Sequence, residues 1–205
     1  MAYCITFPTS VRRYFPFFDL LDQQGNEFHF NSWVRLDSGS AVEVGANGSP
    51  ILFFTSAKLV SAHKSLPIFF SLSGFICIEN SARELIENLE FGMHQFIPIR
   101  LFRKNGVEFE TKYYILNICQ LVNAMNLKKS NLRIETSRDG MKYITRGLER
   151  VDYRTLNGQL IRSVHIWRET LFERDYYVSD RFVEMLLSLD KGGMRAWRYF
   201  KVREE

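Results

Sequence analysis

FICIENSARELIENLEFGMHQFIPIRL, residues 75–101, reads as strand, helix and strand in one stretch. Ala82, Leu85, Ile86 and Leu89 fall at i, i+3, i+4 and i+7, the apolar stripe of an amphipathic helix. Ser81 and Glu84 have the spacing of a capping box, which would satisfy two otherwise orphaned backbone donors. Gly92 can end the helix in a left-handed turn. FICI before the helix and FIPIRL after it are rich in residues that favour strands. A helix held between two strands needs a sheet to pack against.

Outward from this stretch, turn signals mark the sheet. Asn105-Gly106, Asp139-Gly140 and Asn157-Gly158 each lie between β-branched or aromatic runs, the strongest short-range hairpin signal. In the first, Ile97, Ile99 and Leu101 should answer Val107, Phe109 and Tyr113. The C-terminal stretch YYVSDRFVEMLLSLDKGGMRAWRYFKV, residues 176–202, repeats the opening layout. Ser179 caps a second helix, Val178 can staple onto Val183, and Phe182, Met185, Leu186 and Leu189 face inward. Gly192-Gly193 ends it. Two shorter helices are expected, one after Asn117 on Ile118, Leu121, Val122 and Met125, and one over 56–65. The N-terminal MAYCITF reads as a strand. RRYFPFFDLL is broken by Pro16, EFHFNSWVRL alternates as a strand does, and Gly39, Gly45 and Gly48 mark several turns. The expected fold is α+β: an antiparallel, hairpin-rich sheet packed with three or four short helices, including two related strand–helix–strand units. No linker-like stretch divides the chain, so residues 1–205 are expected to form a single domain.

Composition narrows the function. The 205 residues are 46% hydrophobic and 24% charged, enough apolar surface to offset the entropy of ordering a core. The longest apolar run, 66–78, is broken by Pro67, Ser71, Ser73 and Gly74, so no membrane span is expected. No leader sequence is expected at the N-terminus either. Cys4, Cys77 and Cys119 are odd in number and sit among apolar neighbours, which points to buried thiols in a reducing compartment. His29, His63, His94 and His165 lack metal-ligand spacing, and no metal or cofactor is expected. Nucleophile-elbow and phosphate-loop motifs are absent, so no catalytic residue is assigned. Residues 1–99 carry a net −3 and residues 100–205 a net +7. That basic half keeps a nucleic-acid-associated module as an alternative. Its charges alternate in sign rather than clustering, and in the terminal strand Arg195, Trp197 and Tyr199 fall on one side with Arg198 and Phe200 on the other.

Several ordered features together resemble a known family. They are the capped helix leading to Gln95, the apolar strand around Pro98, Tyr113-Tyr114 with Leu116-Asn117, Ile166-Trp167-Arg168, the Val178-Ser179-Asp180 helix start, and Gly193 before an aromatic strand. This order is similar to immunity protein family eleven of the bacterial polymorphic toxin systems, over roughly residues 74–203. Residues 1–73 carry no alignable pattern and are read as an N-terminal part of the same domain. Trp167, Asn123 and Asn126 depart from the family's usual Phe and Asp. The resemblance implies a cytoplasmic, non-catalytic protein that binds and neutralises a cognate protein toxin encoded by an adjacent gene. Glu84, Glu87 and Glu90, read as an exposed acidic face of the first helix, are the expected toxin-binding residues. Gln95, Pro98, Tyr113, Tyr114, Trp167, Arg168, Ser179 and Gly193 are expected to be structural.

Overall fold

The computed structural model describes residues 1–7, 18–21, 39–42, 51–55, 66–72, 74–103, 105–136, 138, 140, 142–146, 151–190 and 197–205. Its elements in chain order are β1 (Ala2–Thr6), β2 (Phe18–Leu21), β3 (Ile51–Thr55), β4 (Phe69–Leu72), β5 (Phe75–Glu79), α1 (Asn80–Leu89), β6 (Gln95–Phe102) and β7 (Tyr113–Asn117). Then follow β8 (Leu121–Val122), β9 (Arg133–Thr136), β10 (Lys142–Arg146), β11 (Thr155–Leu156), β12 (Ile166–Glu169), β13 (Phe172–Ser179), α2 (Asp180–Leu189) and β14 (Arg198–Glu204). A 3-10 turn at Val151–Tyr153 precedes β11.

The strands form two six-stranded sheets and one two-stranded ribbon. One sheet runs β11-β14-β1-β13-β12-β8 and the other β2-β3-β6-β7-β5-β4, with β9 and β10 paired apart. Both large sheets contain the same device. β5 and β6 flank α1 in the chain, yet each pairs antiparallel with β7, which lies between them. β13 and β14 flank α2 and each pairs antiparallel with β1. Each helix thus connects two strands that run in the same direction with a third inserted between them. The expected pair of related strand–helix–strand units is present at the level of topology. The inserted strand comes from just downstream in one unit and from the chain's first residues in the other.

The period-2 alternation of strands sends neighbouring side chains to opposite faces. Ile76 and Ile78 of β5, Ile5 of β1 and Val178 of β13 join Ala82, Leu85, Ile86, Phe182, Val183 and Leu186 in one cluster shared by both sheets and both helices. On its other face the first unit's sheet packs Cys77, Ile97, Ile99, Leu101, Tyr113 and Ile115 with Phe109 and Leu66. The second unit's sheet packs Ala2, Cys4, Leu156, Trp167, Tyr177 and Val202 against Ala124, Met125, Ile161 and Val164. Both large sheets therefore carry buried apolar residues on each face. Burying one Leu, Ile or Phe contributes about 1.5–3 kcal/mol, so each of these clusters adds substantially to the drive to fold.

Several expectations are corrected. Among the described residues there are two α-helices, not three or four. The segment after Asn117 forms β8 beside β12, because Arg168 N–H donates to Gln120 O and Thr170 N–H to Val122 O. Its apolar residues do not form one stripe: Ile118 enters the shared cluster, Val122 and Met125 enter another, and Leu121 is exposed. The helix expected over 56–65, the strand at 27–36 and Gly193 lie outside the described residues. The capping box is also absent. The N-cap position of α1 is Glu79, which makes no side-chain cap bond, and Glu84 Oε1 instead accepts from Asn80 Nδ2 at 2.7 Å. Strand β5 runs straight into the helix, fixed by Glu79 N–H to Ile68 O and Asn80 N–H to Lys112 O.

Of the three hairpin signals, Gly140 (φ +85°) closes the β9–β10 ribbon and Gly106 (φ +78°) a tight turn beyond β6. In the latter, Phe109 N–H donates to Leu101 O, while Ile99 pairs with Tyr113 and Ile97 with Ile115; Val107 is exposed. Asn157-Gly158 does not close a hairpin. Asn157 Oδ1 accepts from Gln159 N–H and starts a run of turns, while β11 pairs parallel with β14.

Candidate functional site

Helix α1 ends in a turn that is buried at both ends and exposed in the middle. Glu84 is exposed and Glu87 half-buried, but Glu90 is only 7% exposed, so the three glutamates do not form one solvent-facing set. Glu90 is one helical turn beyond Ile86 and points the same way, toward the second sheet. Its Oε1 accepts from His165 N–H at 2.6 Å and its Oε2 from Ile166 N–H at 3.1 Å. His94 Nε2 lies 2.9 Å from the same Oε2. A buried carboxylate is tolerable only when its oxygens are occupied, and this one takes two backbone donors at the start of β12 plus an imidazole. The end of α1 is thereby fastened to the other sheet.

Between Glu90 and His94 the chain turns outward. Gly92 takes φ +69°, a left-handed conformation that an L side chain rarely adopts, and Met93 N–H closes onto Glu90 O at 3.2 Å. Phe91 is 86% exposed and Met93 47%. Beside this turn, Glu84, Glu87 and Asn88 occupy the outer side of α1, whereas Arg83 stacks over the Tyr114 ring at 4.8 Å and donates to Tyr114 Oη at 3.1 Å.

His165 carries the clasp on to the second helix. Its Nδ1 is 2.8 Å from Ser179 Oγ, which also accepts from Phe182 N–H at 3.1 Å as the N-cap of α2. Serine and histidine stand within hydrogen-bond distance here, but the glutamate does not orient the imidazole as a triad would. The serine oxygen is occupied as a cap, and the carboxylate binds the histidine's main chain rather than its ring. Among the described residues no three His, Cys, Asp or Glu side chains gather as a metal site.

The other residues singled out from sequence tie the framework together. The Gln95 side chain pairs with Val42 as a backbone would: Val42 N–H donates to Oε1 at 3.0 Å and Nε2 donates to Val42 O at 2.7 Å. Asn117 Nδ2 donates to the same Oε1 and to Ser40 O. Pro98 is exposed and sits just before β6 gains β3 as its second neighbour, where a missing N–H is tolerated. Tyr113 is buried and reaches Leu66 O, while Tyr114 Oη meets Asn80. Trp167 stacks on Tyr177 with ring centres 5.8 Å apart, and buried Arg168 lies 5.1 Å over the Tyr176 ring.

Sequence reasoning missed several buried polar groups, Arg154 and Glu169 among them. Arg154 Nη1 donates to Asp175 Oδ2 at 2.6 Å and to Tyr177 Oη at 2.7 Å. Glu169 is fully buried and accepts from Ala124 N–H at 2.9 Å; burial pushes its carboxyl above the usual range despite that bond. Asp175 and Tyr177 lie 21 and 23 residues from Arg154, and Ala124 lies 45 from Glu169, so no local spacing announces these bonds.

No helix among the described residues is long and apolar enough to cross a membrane. No curated protein matches the chain. Residues 19–204 match the immunity protein family (Imm11). The match reaches back well beyond residue 74, into the part that carried no recognisable pattern. With nearly its whole length matched in this way, the chain belongs to the immunity protein family (Imm11).

Proposed function

We propose that this protein is a non-catalytic immunity protein of a bacterial polymorphic toxin system, which binds and neutralises a cognate protein toxin encoded by an adjacent gene. The family match over residues 19–204 carries this reading. The fold supports it. An inhibitor needs a rigid surface that need not change shape, and two sheets sharing one core with two helices provide one. An interface of about 1,600 Å² with a few aromatic anchors reaches nanomolar affinity or better without any chemistry. The protein is expected to act in the cytoplasm, where its three free thiols stay reduced, and to require no cofactor.

The test is genetic. Deleting this gene while leaving its immediate neighbour intact should halt growth, and supplying this protein from elsewhere should restore it. Unchanged growth after deletion, in cells that express the neighbour, would contradict the reading. The basic second half does not favour a nucleic-acid function: in β14, Val202 enters the core and Tyr199 packs against the shared cluster between exposed Arg198, Phe200 and Lys201.

A further inference from the structure

We propose that the turn after α1, led by Phe91 and Met93 and bordered by Glu84 and Glu87, is the toxin-docking surface. Its occupant is an apolar pocket rimmed by Lys or Arg on the toxin domain. The inference rests on the immunity reading above and names the surface that performs it.

Three observations carry it. First, Phe91 is 86% exposed and Met93 47%, with one glycine between them, whereas the flanking Glu90 and His94 are buried. An aromatic side chain held out in water by a turn that is itself anchored has the makings of a binding hot spot, because little entropy remains to be lost when it enters a pocket. Second, the anchoring is specific. Glu90 binds two backbone N–H groups of the second sheet and His94 reaches the same oxygen, so the turn is fixed to the body of the protein at both ends. Third, the neighbouring charge is acidic although the chain is net +4. Glu84 and Glu87 face outward beside the turn, while Arg83 is engaged with Tyr114. A basic rim around the partner's pocket would be attracted here, which speeds encounter. Glu90 acts as a positioning residue and makes no contact with the partner.

The experiment measures binding of the purified full-length protein to the C-terminal domain of the product of the neighbouring gene, by titration calorimetry and by association kinetics at two salt concentrations. Phe91→Ser should weaken binding by about 30-fold or more, the size of a hot spot, with an unchanged melting temperature, because the side chain it removes is already in water. Glu84→Lys with Glu87→Lys should slow association and abolish its salt dependence. Leu160→Ser, at an equally apolar exposed position in the turns before β12, should bind as the wild type does. Wild-type binding that survives both Phe91→Ser and the double charge reversal would overturn the proposed surface and leave the immunity reading standing. A Phe91-dependent dimer of this protein, with toxin binding unaffected, would also overturn it. A wild-type protein that fails to bind that domain at all would overturn both.

Discussion

Glu90 fastens the end of α1 to the second sheet, so its loss should be felt in stability. Replacing it with alanine leaves His165 N–H, Ile166 N–H and His94 Nε2 without their acceptor in a region closed to water. Leaving a buried donor without an acceptor costs about 1–3 kcal/mol, so Glu90→Ala should lower the urea midpoint sharply. A change below about 1 kcal/mol would show that the clasp contributes little. This role was readable in part: Glu90 is i+4 from Ile86, and that spacing places it with the apolar stripe rather than with Glu84 and Glu87. What spacing cannot give is the partner, because His165 and Ile166 lie 75 and 76 residues away. The thiols make a second residue-level test. Burial pushes the Cys4 thiol up to about 12, raises Cys77 as well, and raises Cys119, which is only half-buried. Thiolates are the reactive species. At pH 7.5 a thiol reagent should therefore modify Cys119 first, more slowly than a free thiol, and reach Cys4 and Cys77 only in denaturant. Rapid native modification of Cys4 would contradict its burial.

At the scale of elements, α2 obeys its sequence and α1 departs from it. The Val178-Ser179-Asp180 start places a hydroxyl on Phe182 N–H, as the spacing predicts. Ser179→Ala should cost about 1 kcal/mol in chemical unfolding, the usual worth of a cap, and a loss within error would mean that His165 and water replace it. In α1 the capping box at Ser81 and Glu84 is overridden because β5 continues into the helix through two main-chain bonds that no local pattern announces. The same competition defeats the helix expected after Asn117. Apolar residues at helical spacing also suit a chain that crosses from one cluster to another, and the ladder with β12 decides between them. Strand β12 carries a pH-sensitive group of the fold. Glu169 holds its proton more tightly folded than unfolded, since burial raises its carboxyl. Its favourable contribution is complete below the ordinary carboxylate range and fades as pH rises through the raised value. The stability of wild type relative to Glu169→Gln should therefore fall as pH rises above the ordinary carboxylate range, read from urea midpoints at each pH. A constant difference over that rise would contradict the assigned shift.

On the scale of the whole molecule, two similar units meet through their helices and share a core with both sheets. We propose that residues 1–205 fold as a single domain. Melting followed by near-ultraviolet and far-ultraviolet circular dichroism should then give coincident transitions, whereas two separated midpoints would indicate independent units. The resemblance of residues 75–101 to residues 176–202 made this pairing legible: strand, helix, glycine and aromatic strand recur in both. The insertion of β1 into the second unit was not legible, because β1 reaches β13 and β14 across more than 170 residues. The candidate surface was half legible. The acidic side of α1 stood out, while Phe91 and Met93 were hidden inside a stretch that looked like the end of a helix. The molecule is proposed to act by covering another protein. Mixing it with the C-terminal domain of the neighbouring gene's product and measuring mass by light scattering after gel filtration is the most direct test. A stable one-to-one complex in which the toxic activity is lost is the predicted result; two separate peaks, with that activity intact, would contradict it.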